Sequence, residues 1–165
     1  MRIINPDDFL QTPAGRVWTP ERSAEAWEAC YRALEECVMP LARVARVVLV
    51  CGVQGAGKTH WIAAQPDHRE EVVYFDAALP GARHRRPIVA IARRHGVPID
   101  AVLIRVPLQT ALDRNARRAA DIRVPEEAVR LVAERFEAPT PEEGFGRIRI
   151  VDGTGGAARF DHPIP

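Results

Sequence analysis

Long apolar stretches alternate along this chain with segments of helical periodicity. Val44–Cys51 is mostly apolar and β-branched, the pattern of a central parallel strand buried on both faces, and Ala101–Val106 is another apolar strand. Val72–Phe75 reads as a strand ending at Asp76, Arg147–Val151 as a last strand, and Arg2–Asn5 as a short extended run stopped by Pro6. Ala24, Trp27, Tyr31, Leu34 and Val38 recur at helical spacing. Thr19-Pro20-Glu21 ahead of them supplies an N-cap and a first-turn proline, so a helix is expected over residues 20–39, ending near Pro40. Further helices are expected from Lys58 to near Pro66, from Pro87 to about His95 with Gly96 closing it, over Leu108–Ala120, and from Pro125 to about Phe136. Residues 11–20 and Pro139–Gly146 read as loops, and the tail after Gly153 as irregular. No repeat or low-complexity tract interrupts this order. Strands alternating with helices predict an α/β fold: a three-layer sandwich with a five-stranded, mainly parallel sheet and helices on both faces.

Composition narrows the picture modestly. A chain of 165 residues fits one domain with a real core. A net charge of +1 gives no global basic field, so nothing in the bulk charge demands nucleic acid. Arginines are nevertheless grouped: Arg83, Arg85, Arg86, Arg93 and Arg94 with His84 and His95, then Arg114, Arg117, Arg118 and Arg123. The first group reads equally as a solvated helix face. Cys30, Cys37 and Cys51 are odd in number, sit in apolar stretches and lack metal-type spacing, which suits reduced thiols in a cytoplasmic protein. The N-terminus lacks a signal-peptide core, and no stretch is apolar and long enough to span a membrane.

The chemistry starts at Gly52-Val53-Gln54-Gly55-Ala56-Gly57-Lys58-Thr59, a complete G-x-x-x-x-G-K-[ST] motif that follows a strand and opens a helix. Glycines let the backbone curl so that its N–H groups face phosphate oxygens. Lys58, the only lysine in the chain, would reach the β- and γ-phosphates, and the Thr59 hydroxyl would coordinate Mg²⁺. The expected cofactors are ATP and Mg²⁺.

Downstream features follow a recognisable order. Val73-Tyr74-Phe75-Asp76-Ala77 is a strand ending in aspartate, with Arg83 or Arg85 after it. A helix ending at Gly96, a strand ending at Pro107, and Arg114-Asn115-Ala116-Arg117-Arg118 come next. Val124-Pro125, Phe136-Glu137-Ala138-Pro139 and Glu143-Gly144-Phe145 complete the series. This order resembles the polynucleotide 5′-kinase branch of P-loop kinases, which includes zeta-toxin-like and small-molecule kinases. Ala77 and Ala78 depart from it, standing where the family has polar residues.

The resemblance implies a kinase that moves the γ-phosphoryl group of ATP to a hydroxyl. The acceptor could be a nucleic-acid 5′ end, a nucleoside, a nucleotide sugar or another small molecule. It implies that residues 108–125 form a lid, with Arg114 and Arg118, four apart on one helical face, closing over the phosphates. Asp76, at the carboxyl end of its strand, would hold a magnesium-bound water or orient a lid arginine; a helix-capping aspartate is the alternative, as a surface salt-bridge helix is for the two arginines. An ATP-binding switch with slow hydrolysis and no acceptor is the rival function.

The family's base-bearing strand and helix, which follow the P-loop helix in it, have no room before Val72. Ile3-Ile4-Asn5-Pro6-Asp7-Asp8-Phe9 resembles that segment instead, which implies a transposed order within a single domain: residues 1–40 on the acceptor side, 44–66 as the P-loop unit. The sheet would then run strand 2–5, 72–76, 46–51, 101–106, 147–151. Asp7 would be the general base, unless Asp7-Asp8 is a polar turn. Leu10 replaces an arginine often present there, for which Arg16 is the substitute; Asp8, Arg16, Arg83 and Arg85 are the acceptor-side candidates. Trp18, Trp27 and Trp61 are not visibly grouped in the sequence.

Overall fold

The computed structural model describes residues 2–39, 44–65 and 71–155. In chain order its elements are β1 (Arg2–Ile4), the short pair β2 (Gln11–Thr12) and β3 (Gly15–Arg16), α1 (Pro20–Val38), β4 (Val44–Cys51), α2 (Lys58–Ala63), β5 (Glu71–Asp76), α3 (Ala82–Arg94), β6 (Ile99–Arg105), α4 (Leu108–Ala116), α5 (Glu126–Glu134) and β7 (Ile148–Asp152).

Five strands form one parallel sheet in the order β1-β5-β4-β6-β7, the order expected from the sequence. The register sets the strand ends level. Ile4 pairs with Phe75, so Asn5 falls beside Asp76, and Val50 of β4 pairs with Asp76. One step beyond, the chain enters the glycine loop, and the Gly52 N–H bonds the Ala78 carbonyl at 3.2 Å.

Side chains on alternating strand positions feed two cores. On one face Val47, Leu49, Val73 and Phe75 meet Cys30, Leu34 and Val38 of α1 and Ile88 and Ala92 of α3. On the other, Val48, Val50, Tyr74, Val102 and Ile104 meet Ile62 of α2. This is the α/β three-layer arrangement that the alternation of strands and helices implied. Each fully buried Leu or Ile here contributes about 1.5–3 kcal/mol. Helix α1 begins as expected: the Thr19 hydroxyl accepts the Arg22 N–H at 3.2 Å, with Pro20 in the first turn. Trp27 of α1 stacks on Phe75, with ring centroids 6.0 Å apart.

Several boundaries differ from the sequence expectation. Helix α3 starts at Ala82 and carries Pro87 inside it, because Gly81 caps it and the His84 N–H bonds the Gly81 carbonyl at 2.9 Å. Pro87 therefore costs the helix one hydrogen bond without opening it. Helix α4 stops at Ala116. The Asn115 amide donates to the Val124 carbonyl at 2.6 Å and accepts the Val124 N–H at 3.2 Å, clamping the returning chain. Residues 11–16 form a tight hairpin closed at Gly15, whose φ of 108° favours glycine. Helix α2 ends at Ala63, shortly before the end expected near Pro66; Pro66 itself and the tail after 155 lie outside the described residues.

The three cysteines are free and buried, and burial pushes the Cys30 and Cys51 thiols up to about 12. Among the described residues no helix is long and apolar enough to cross a membrane.

Candidate active site

The glycine loop leaves the buried end of β4 and returns into α2 at Lys58. Its bends are steric necessities. Gly55 has φ 83°, and a Cβ there would lie 2.3 Å from the Ala111 carbonyl oxygen of α4; a Cβ on Gly52 would lie 2.5 Å from the Ile104 carbonyl. Backbone thus packs on backbone. Lys58 folds over its own loop, its Nζ donating to the Gly52 carbonyl at 3.0 Å and the Val53 carbonyl at 3.2 Å. Burial pushes its pKa below the ordinary lysine value, Asp76 opposes this, and Arg118 adds to it.

Thr59 and Asp76 meet as neighbours. The Thr59 hydroxyl donates to Asp76 Oδ2 at 2.6 Å, and the Asn5 amide reaches the same oxygen at 3.4 Å. Asp76 is 1% exposed. A hydroxyl and a carboxylate side by side are hard oxygen donors of the kind Mg²⁺ accepts, with its remaining positions left to water and phosphate. No cluster of three or more His, Cys, Asp or Glu side chains that could hold a metal exists among the described residues. The donor set fits a cation that arrives with a nucleotide better than one held by protein alone.

Asp7 belongs to the 3-10 turn Pro6–Leu10 that follows β1. The Asn5 side chain accepts the Asp7 N–H at 2.9 Å and so fixes the start of that turn. Arg16, from the hairpin, donates to Asp7 Oδ2 at 2.8 Å. Asp8 beside it is held above the ordinary carboxylate value, first by burial and then by Asp7 and Asp76, with Arg16 opposing. A cleft of about 240 Å³ joins these parts: Asn5 and Asp7 on one side, Lys58, Thr59 and Asp76 on the other, and Arg118 above.

Residues 68–139 match a family model described as an AAA domain, from a P-loop NTPase-like family that includes polynucleotide-kinase-like members. The five-stranded parallel sheet with its helices is an α/β P-loop-like fold, consistent with that match. A search of curated proteins finds no match to the chain. The matched stretch starts after the glycine loop and runs from β5 past α5, so the match and the motif cover different parts of the same P-loop-like fold.

Within that fold, the candidate arginines separate. Arg114 and Arg118 do not share a helical face, because α4 ends between them. Arg114 lies behind the loop, donating to the Ala56 carbonyl at 3.3 Å and the Gly153 carbonyl at 2.9 Å, while Arg118 lines the cleft with Lys58. Arg85 is not available to any acceptor. It is fully buried, its Nε and Nη2 grip Glu143 at 2.7 and 2.8 Å, and its Nη1 donates to the Leu79 and Glu137 carbonyls, both at 2.9 Å. Arg83 is exposed in the first turn of α3 and does not line the cleft.

Of the three tryptophans, which the sequence leaves ungrouped, Trp18 and Trp27 both line the cleft, whereas Trp61 sits on the opposite face of the sheet, edge-on to Tyr74. Asn5, whose local signal is an Asx cap before Pro6, lines the cleft as well, and so do Ser23, Ala26 and Val124, for which the sequence carries no local signal.

Proposed function

We propose that this protein is a kinase that transfers the γ-phosphoryl group of ATP to an acceptor hydroxyl bound beside Asp7. The observation that carries the reading is the convergence of Lys58, the Thr59–Asp76 pair and the Arg16-braced Asp7 on one cleft, from segments far apart in the chain.

The loop amides of residues 52–59 and the Lys58 ammonium bind the phosphates and neutralise charge as it develops. Thr59 and Asp76 would hold Mg²⁺, which when bound supplies further charge neutralisation at the phosphates. The Asp7 carboxylate, oriented by Arg16, accepts the proton of the acceptor hydroxyl as its oxygen bonds to the γ-phosphorus and the bond to ADP breaks. Arg118, which lines the same cleft, would balance charge on the transferred group. Residues 2–38 make up the acceptor side in this reading, a strand-helix unit placed ahead of the P-loop instead of after it, and the three buried thiols suit a reducing cytoplasm.

An Asp7→Asn variant is expected to lose about 10²-fold or more in kcat while its KM for ATP changes little. Steady-state transfer of labelled phosphate checks this, and full transfer by the variant would return Asp7 to a polar turn. The apolar Ala77 and Ala78, both lining the cleft, favour a second reading, an ATP-dependent switch. Acceptor-independent hydrolysis that disappears on changing Lys58, with no phosphate moved to any added hydroxyl compound, is its signature.

A further inference from the structure

The two ends of the cleft differ in charge. Its lining cations are Lys58, in the glycine loop, and Arg118, whose charge acts on Lys58. The acceptor end presents Asn5, Asp7, Ser23, Leu10, Trp18 and Trp27, and the guanidinium nearest to it, that of Arg16, is already committed to Asp7. Asp7 and Asp76 both lie close enough to Asp8 to raise its pKa, so a phosphodiester chain entering here would meet carboxylates in place of the basic residues that such chains require.

The cleft is also roofed. Leu10 and Trp18 flank the β2–β3 hairpin, while Arg118 and Val124 flank the 3-10 turn Ala120–Ile122, and all four line the cleft. Hairpin and turn meet across it: a Cβ on Gly15 would touch Asp121 at 3.4 Å. A polymer end would have to thread beneath this contact, whereas a molecule of one or two rings fits a volume of about 240 Å³.

The aromatic walls complete the picture. Trp27 is fixed between Phe75 and Tyr31, with ring centroids at 6.0 and 5.9 Å. Trp18 is 65% exposed, the most exposed large apolar side chain among the described residues, and it lies at the cleft. An indole presented to solvent over a binding cleft is a platform for a flat ring.

Resting on the kinase reading above, we infer that the acceptor is a small, phosphate-free alcohol carrying an aromatic or heteroaromatic ring, such as a nucleoside or an aromatic alcohol, with the ring against Trp18 and the hydroxyl toward Asp7. Trp18 is then a specificity-determining residue.

The test measures γ-phosphate transfer from labelled ATP to three acceptor sets: nucleosides and aromatic alcohols, ring-free sugars and polyols, and 5′-OH oligonucleotides. The ring compounds are expected to have kcat/KM at least about tenfold above the other sets. Trp18→Ala should raise their KM about tenfold and Trp18→Phe should restore most of it, since stacking tolerates a change of ring. Preference for oligonucleotides or ring-free sugars, or an acceptor KM untouched in Trp18→Ala, overturns the inference and leaves the kinase reading standing. If no acceptor is phosphorylated, the kinase reading fails instead. Equilibrium dialysis of labelled adenosine then decides the ring site alone: binding weakened in Trp18→Ala and retained in Trp18→Phe supports it, and absent or unchanged binding overturns it.

Discussion

Replacing Lys58 by alanine is expected to lower phosphoryl transfer by about 10²–10³-fold, the usual loss when one preorganised donor to a developing oxyanion is removed. The protein should remain folded. In the structure the ammonium serves two carbonyls of its own loop, and burial depresses its pKa. The sign of that shift matters. A lysine whose folded-state pKa lies below its unfolded value disfavours the folded state while it stays charged, so that removing the charge relieves a cost which the phosphates would otherwise offset. Unfolding temperatures of the two proteins should therefore lie close together, whereas their nucleotide affinities should not. Lys58→Arg is expected to fail as well, because a wide planar guanidinium is a poor substitute for a compact point charge inside a closed loop. The sequence offers a second check without mutation. Lys58 is the only lysine, so an amine-directed acylating reagent can modify only it and the α-amino group. Mass spectrometry should show that ATP with Mg²⁺ protects the lysine, and modification at the same rate with and without nucleotide would contradict its place at the phosphates.

Arg85→Ala is expected to be the most destabilising single change, at about 3–5 kcal/mol, because it strands a carboxylate in a dry site. At roughly 2–4 °C per kcal/mol for a chain of this size, the loss in Tm is on the order of 10 °C. Glu143 loses both guanidinium bonds and keeps the Thr140 N–H at 2.9 Å, and the Leu79 and Glu137 carbonyls each lose a donor. Leu79 adds to the effect. It is the one non-glycine residue with positive φ among the described residues, at 49°, and the Arg85 guanidinium holds its carbonyl there. The pair Arg85→Met with Glu143→Leu should recover much of the lost stability, since no uncompensated charge remains. Calorimetry on the single and double variants checks both statements. A residue that contacted the acceptor would behave in the opposite way, losing activity with Tm unchanged.

Legibility in the sequence followed the range of the interactions involved. Val44–Cys51 was delimited to the residue, because its buried stretch Val47–Cys51 is apolar on both faces and the glycine loop ends it. The start of α1 was equally readable, because Thr19 and Pro20 act within a single turn. The expected start of α3 at Pro87 failed because the bonds that extend the helix back to Ala82 are made at Gly81 and by a side chain reaching Glu143. Arg85 shows the same limit: its partner lies 58 residues away and no local pattern separates it from exposed Arg83. Arg114 and Arg118 were paired by helical arithmetic that assumed a helix to Ala120, and the clamp of Asn115 on Val124 ended it earlier.

By itself the sequence determined the phosphate loop, since a run of glycines with Lys58 and Thr59 encodes its curvature and its charge within eight residues. It also determined the α/β alternation and hence the class of fold. Only the tertiary structure decided what faces the loop. Parallel pairing of β1 with β5 brings Asn5 level with Asp76, the hairpin turns Arg16 back onto Asp7, and the helix packed beside them brings Trp27 into the cleft that Trp18 also lines. Those juxtapositions depend on strand order and on bonds between segments distant in the chain, which carry no local periodicity, and the proposed acceptor site rests on them.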